Sequence, residues 1–199
     1  MARPGVTALH FLRYLVGLDR AHTQTTPREQ ETLAEYARGK RRLVEIGVYE
    51  GATTRCLAEV MSNEGELFAI DPFIIGRFGI CWGKVIARRE VAAIANSRRV
   101  HFIEEYSHQA VSRVEGQLDF VFIDGDHALG AMQRDWSDWS PKTSIGGIIA
   151  LHDTRVPAHN PNVAMLGSYQ FFEQHIRHDP RFELLEQIDS LSILRRNIL

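Results

Sequence analysis

Three apolar stretches of this chain run straight into small or ionisable residues, and those endings are where chemistry is expected. The first is Leu43-Val44-Glu45-Ile46-Gly47-Val48-Tyr49-Glu50-Gly51-Ala52-Thr53, which reads as a buried strand, a glycine turn and the opening of a helix. The next strand ends in Ile70-Asp71-Pro72. Small residues at 47 and 51 let the backbone approach a ligand, and an acid about 20 residues beyond such a turn sits where a ribose diol can be gripped. Glu45 selects among nucleotide-type cofactors. A carboxylate at the strand end repels a pyrophosphate but accepts hydrogen bonds from a ligand ammonium. The spacing Gly47-x-x-x-Gly51 also departs from the Gly-x-Gly-x-x-Gly of dinucleotide sites and aims fewer amides at phosphate. Together these features favour S-adenosylmethionine over NAD.

The second ending is Leu118-Asp119-Phe120-Val121-Phe122-Ile123-Asp124-Gly125-Asp126-His127, and the third is Gly146-Gly147-Ile148-Ile149-Ala150-Leu151-His152-Asp153. Both are expected to project from the same sheet edge as Glu45 and Asp71. Acids gathered there repel one another unless a cation neutralises them, and a divalent metal is the obvious one. Two carboxylates with open positions suit magnesium, whereas a histidine ligand admits manganese, iron or zinc. Plainer readings compete for each residue. Asp126 reads as the N-cap of the helix that follows, and His127 as a first-turn surface residue. Asp153 reads as a turn cap before Pro157, His152 as a core hydrogen-bonding group, and Asp71 as a strand-ending residue before proline. Met132, Trp136 and Trp139 share a helical face with Leu129 and read as packing.

The elements that must position these endings alternate regularly. At 199 residues and 44% hydrophobic content the chain supports one substantial core. Apolar residues at helical spacing from Val6 to about Leu18 predict a short amphipathic helix, and Thr26-Pro27-Arg28-Glu29 is a capping box opening a second helix that ends near Gly39. These two form an N-terminal helical arm over 1–40. A single domain over 41–199 follows. Its expected helices cover 51–62, 84–96, 107–114, 127–139 and 167–178, alternating with strands at 43–46, 66–70, 100–104, 118–123 and 146–151. A terminal antiparallel hairpin, 182–187 and 190–194, closes it. Such alternation predicts an α/β fold with a mostly parallel sheet covered on both faces. The loop 73–83, with Phe73, Ile74, Ile75, Phe78 and Trp82, is too apolar for an idle connection. It reads either as buried against the arm or a second copy of the chain, or as a wall over the cofactor or acceptor. The loop 154–167 reads as part of the acceptor site.

A net charge of -2 gives no global attraction to polyanions, so nucleic-acid binding is not expected. Cys56 and Cys81 have neither zinc-site nor disulfide-framework spacing, which fits a reducing cytoplasm. The N-terminal apolar run is interrupted by His10, Arg13 and Asp19 and reads as neither a signal peptide nor a membrane span.

Ile123-Asp124-Gly125-Asp126-His127, followed by Asp135, Trp139, Pro141, Gly146-Gly147 and His152-Asp153, resembles the class I S-adenosylmethionine-dependent methyltransferases. More narrowly it resembles the family of metal-dependent macrolide sugar O-methyltransferases and cephalosporin hydroxylase-like proteins, over roughly residues 41–155. The resemblance implies a Rossmann-like sheet of seven strands in the order 3-2-1-4-5-7-6, with strand 7 antiparallel. It implies that Glu45, Gly47, Gly51 and Asp71 hold the methionine and ribose parts of the cofactor, and that Ser107 lies near the adenine. Tyr49, Thr53, Pro72, Phe73 and Asp124 complete the expected cofactor set. An Asp-x-x-His motif maps onto Asp124 and His127 as metal ligand and general base. Two consecutive acids follow the fifth strand in the sugar methyltransferases, and His152-Asp153 stands there in this chain. Asp153 is thus an expected ligand, and His152 either a nitrogen ligand or a supporting group.

The function expected is methyl transfer to a sugar hydroxyl, on a small-molecule or oligosaccharide acceptor. S-adenosyl-L-methionine is the expected donor, and Asp124, Asp153 and His152 are the expected holders of a divalent metal, magnesium first. His127 would take the acceptor's proton. A homo-oligomer through the arm or the loop 73–83 is a further expectation. Rival readings are an iron oxygenase using His127, His152 and Asp124, a phosphohydrolase using Asp124 and Asp126, and a non-catalytic cofactor-binding scaffold.

Overall fold

The computed structural model describes residues 6–76 and 79–197. Seven strands form one sheet: β1 (Arg42–Ile46), β2 (Glu66–Ile70), β3 (Val100–Ile103), β4 (Leu118–Ile123), β5 (Thr143–Leu151), β6 (Phe182–Ile188) and β7 (Leu191–Arg196). Their order is β3-β2-β1-β4-β5-β7-β6, and β7 runs antiparallel to both its neighbours. The expected order and the reversed last strand are both present. Among the described residues there are seven α-helices: α1 (Ala8–Leu15), α2 (Pro27–Ala37), α3 (Ala52–Val60), α4 (Trp82–Ala92), α5 (Ser107–Ala110), α6 (Leu129–Trp139) and α7 (Gly167–Gln174).

Side chains alternate across a strand, so each strand feeds two cores. Leu43, Leu67, Ala69, Phe120, Phe122 and Ala150 point to one face, where they meet Leu33 and Ala37 of α2, Leu57 of α3 and Ala87 of α4. Val44, Ile46, Ile70, Val121, Ile149 and Leu151 point to the other and meet Met132, Trp136 and Trp139 of α6 and Phe172 of α7. Leu129, expected on the same buried face of α6, is 41% exposed, because it stands in the first turn where the helix leaves the sheet.

The parallel registers pair Ile46 with both Ile70 and Ile123, and Ile123 with Leu151. The ladder carries on one residue past the strand ends: Asp124 N–H donates to Ile46 O at 2.8 Å and His152 N–H donates to Ile123 O at 3.0 Å. Residues 47, 71, 124 and 152 therefore leave the sheet along one edge.

Several local expectations shift. The helix expected over 107–114 closes after Ala110. The expected N-cap Asp126 instead accepts from Ala128 N–H at 3.0 Å in a side-chain turn, and α6 begins only at Leu129. The capping box at Thr26 and Glu29 is present. In α1, Leu9, Leu12 and Val16 lie 69%, 57% and 70% exposed, so its apolar stripe does not face this chain's core. The arm is held instead by Phe11, stacked on Trp82 with ring centroids 4.5 Å apart, and by Tyr14, whose hydroxyl donates to Glu90 at 2.7 Å. In the apolar loop Phe73 is buried while Ile74 and Ile75 are exposed, and Phe78 lies outside the described residues.

Gly51 needs no side chain for a reason other than ligand approach. Its φ is +79°, and a Cβ there would stand 2.7 Å from the Cα of Ala87, so its smallness lets α3 start against α4. Replacing it with alanine adds both left-handed backbone strain and overpacking. Gly51→Ala is expected to lower unfolding stability by on the order of 2–4 kcal/mol. In urea melts this should appear as a lower midpoint at unchanged m value.

Candidate active site

The glycine turn after β1 is braced from the end of β2. Asp71 Oδ2 accepts from the backbone N–H groups of Val48 and Tyr49 at 3.0 and 3.1 Å, and its Oδ1 accepts from Phe73 N–H at 2.8 Å. One carboxylate thus ties together the two loops that flank the strand ends, a role the sequence reading did not assign to it. Tyr49 and Phe73 both carry positive φ, +57° and +43°. Non-glycine residues held in this region cost about 1–3 kcal/mol each, and they cluster at binding sites. Asp153, at the end of β5, is a third at +54°.

Gly47, Tyr49, Thr53 and Asp124 line one cleft above the sheet edge, and the segment before α2 contributes His22, Thr23 and Gln24 as its opposite wall. Glu45 lies beneath it, fully buried on β1. Pro72 and Phe73 follow the Asp71 brace. Ser107 opens α5 and is turned to α6, where its Oγ accepts from Trp139 Nε1 at 2.7 Å and it hydrogen-bonds Asp135. Burial pushes the Asp135 carboxyl up to about 6, against the pull of its hydrogen bond with Ser107.

The acids and histidines do converge, around His152. Its Nδ1 lies 3.2 Å from Asp124 Oδ1 and 3.7 Å from Asp153 Oδ1, and its Nε2 lies 3.1 Å from Ser190 Oγ and 3.4 Å from Glu29 Oε2. Burial alone would favour the neutral ring, but Asp124 and Glu29 overrule it and hold the imidazole well above its usual range. Glu29 moves the opposite way. Its burial opposes ionisation, yet His152, the Thr26 amide and Ser190 lower its carboxyl to about 2. His127 stands one step further out, with Nδ1 3.6 Å from Asp153 Oδ2. Ser168 Oγ donates to the carbonyl of Asp153 at 2.8 Å and fixes the strained turn.

Glu29 is the member of this cluster that sequence reasoning missed as a site residue. Its capping-box pattern located it in the first turn of α2, but that pattern says nothing about His152, which is 123 positions away. As a metal centre the cluster is loose. Among the described residues, three ligand atoms lie within 4.8 Å of one another at His10, His22 and Glu50, not at Asp124, His152 and Asp153. A metal at the strand ends would therefore draw the two carboxylates together around it.

An open α/β sheet with this strand order, a braced glycine turn and an acid-histidine edge defines the methyltransferase class of fold. A family model described as a methyltransferase domain matches residues 44–154. The chain belongs to that family. Among solved structures it is similar to an O-methyltransferase from Bacillus cereus in complex with S-adenosylhomocysteine, with a TM-score of 0.66 and 18% identity over 93% of this chain and 87% of that one. It is similar as well to TomG from Streptomyces achromogenes, an O-methyltransferase of tomaymycin synthesis in complex with S-adenosylmethionine, with a TM-score of 0.65 and 14% identity over 94% of this chain and 87% of that one. A curated relative, the uncharacterized protein y4gI of Sinorhizobium fredii, is 27% identical over 126 residues. Those residues are 60% of this chain but 14% of that protein, so the chain spans a small part of that relative's length. No helix among the described residues is long and apolar enough to cross a membrane.

Asp135 gives the fold a pH dependence whose sign follows from its raised carboxyl. Between about 4 and 6 the unfolded chain has released a proton that the folded chain retains, so stability from this group falls as pH rises through that window. Asp135→Asn is expected to remove this slope. Denaturation of both proteins at pH 4 and pH 7 should show the wild type losing on the order of 2–3 kcal/mol more than the variant.

Proposed function

We propose that this chain is an S-adenosylmethionine-dependent O-methyltransferase acting on a hydroxyl of a sugar, in a glycoside, oligosaccharide or natural product. The observation that carries the reading is the cleft lined by the glycine turn and Asp124, with Asp71 bracing the turn and with Asp153 and His127 grouped beside His152, the neighbour of Asp124. Glu45, Gly47, Tyr49, Thr53 and Asp71 fit the methionine and ribose parts. A buried carboxylate under the turn suits a ligand ammonium, and amides tied back to Asp71 keep the turn shaped to receive it. The sugar acceptor rests on the resemblance carried by Asp124 to His127, and the cofactor on the ligands of the similar structures.

Transfer moves the methyl carbon from the sulfonium to the acceptor oxygen by in-line displacement, and the hydroxyl proton must leave. His127 is the base in this reading. The carboxylate of Asp153 beside Nδ1 favours a proton on that nitrogen, which leaves Nε2 to take the acceptor's proton. Positioning of the two reactants supplies much of the remaining acceleration. Asp124 and Asp153, on adjacent strand ends, have the oxygen donors for a divalent ion such as magnesium, with His152 a nitrogen ligand or a support. When bound, such an ion lowers the pKa of the acceptor hydroxyl. A second reading is favoured by the position of His152 between Asp124, Asp153 and Glu29. There its imidazolium takes the cation's place, and transfer runs without a metal.

Calorimetry with S-adenosylhomocysteine tests the cofactor. Wild type is expected to bind, and Asp71→Ala to bind more weakly by about 1–3 kcal/mol, the scale of lost charged hydrogen bonds. No binding by wild type would remove the cofactor assignment.

The chemistry is read from S-adenosylhomocysteine release over a panel of glycosides with vicinal hydroxyls. His127→Ala should slow turnover by roughly 10²–10⁴-fold while leaving cofactor affinity little changed. Exhaustive chelation, followed by magnesium, should abolish and then restore turnover. Full turnover after chelation selects the reading in which His152 supplies the charge.

A further inference from the structure

A second cluster lies outside this machinery, where the N-terminal segment meets the loop after β1. His10 of α1, His22 of the segment between α1 and α2, and Glu50 of the glycine turn each present one ligand atom, and these atoms lie within 4.8 Å of one another. His10 Nε2 is 3.0 Å from Glu50 Oε2, and His22 Nδ1 is 3.6 Å from Glu50 Oε1. The two imidazoles stack with centroids 3.7 Å apart. We propose that His10, His22 and Glu50 form a site for a divalent transition-metal ion of the zinc type, which clasps the N-terminal segment to the wall of the cofactor cleft.

Three observations point to an ion. First, Glu50 is fully buried, and its Oε1 has no hydrogen-bond donor among the described residues. A buried carboxylate oxygen left without a partner is costly, and the ring nitrogen facing it at 3.6 Å is beyond hydrogen-bond reach. An ion between the two would satisfy both. Second, the far nitrogen of His10 is already oriented. Its Nδ1 lies 3.2 Å from Asp19 Oδ2, and Asp19 is held in turn by Arg13 at 2.9 Å. A carboxylate behind a ligating imidazole is the arrangement that fixes its tautomer and strengthens it as a ligand. Third, two imidazoles and one carboxylate suit zinc and its neighbours rather than magnesium or calcium, and they leave a fourth tetrahedral position for water.

The spacing asks for little movement. Ligand bonds of about 2.0–2.2 Å put donors on a tetrahedral ion about 3–3.5 Å apart. The His22 side chain is 57% exposed and can turn its ring out of the stack to direct Nδ1 at the ion. The site adjoins the cleft without being part of the acid-histidine edge. His22 lines the cleft next to Thr23 and Gln24, and Glu50 follows Tyr49 on the opposite wall. An ion there would hold these two walls at a fixed distance.

The test uses the full chain stripped of metal, titrated with Zn²⁺ by calorimetry and with Co²⁺ by visible absorption. Wild type is expected to bind one Zn²⁺ at this site and to develop the intense ligand-field bands of tetrahedral cobalt. Because His22 is exposed, His22→Ala should fold, and it should weaken Zn²⁺ binding by at least about 100-fold and abolish the bands. Asp19→Asn, which changes the group behind His10 together with its pairing to Arg13, should weaken binding by about 10–100-fold. Asp124→Asn should leave both signals intact, which separates this site from any metal at the strand ends. Absence of micromolar Zn²⁺ binding by wild type would overturn the proposal and leave His10 as a plain ion-pair partner of Asp19 and Glu50. Tetrahedral cobalt bands that survive His22→Ala, or are lost in Asp124→Asn, would overturn it as well.

Discussion

Carboxylates buried behind one edge of the sheet are the constraint on which the rest of this structure turns. Glu29, Glu45, Glu50 and Asp124 are 1%, 0%, 0% and 8% exposed. A buried carboxylate is tolerated only with compensating charge or hydrogen bonds. Glu29 has the Thr26 and Ser190 amides and the His152 ring. Asp124 shares that ring from its other side, and Glu50 has His10 and the His22 amide. Apart from the Thr26 amide, each of these compensating groups comes from a distant part of the chain. The N-terminal segment, the glycine turn and the terminal hairpin are thereby fixed to one another through charge as well as packing.

The same edge concentrates backbone strain. Tyr49, Phe73 and Asp153 hold left-handed conformations immediately after β1, after β2 and at the end of β5. The Asp71 brace, which holds the amides of both Tyr49 and Phe73, and the hydrogen bond from Ser168 to Asp153 O show how these turns are kept in place. Strain is retained where the surroundings over-determine it. Here the surroundings are a two-sided apolar core that leaves the strands no freedom of register, so loop conformation at their ends can be unfavourable without unfolding them.

His152 shows why the metal question turns on tertiary structure. A histidine before an aspartate at a strand end reads equally as a ligand or as a core hydrogen-bonding group. Its position between Asp124 and Glu29 favours the protonated ring over the neutral one. A protonated ring there would meet part of the charge that otherwise calls for an external ion.

The alternation of strands and helices and the two-faced core were legible from residues alone, because they depend on period and on local punctuation, whereas the strand order came with the resemblance to the methyltransferases. The apolar runs at β1, β4 and β5, the capping box at Thr26 and the acids closing each strand are short-range signals whose physics is complete within about ten residues. The partners were not legible. Asp71 bracing Val48 and Tyr49, Glu29 reaching His152, Gly51 making room for Ala87 and His10 meeting Glu50 each join side chains from separate elements. Nothing in local spacing encodes such a meeting. It is decided when the sheet fixes its register and the arm settles against the glycine turn, since only then do buried charges find the groups that neutralise them.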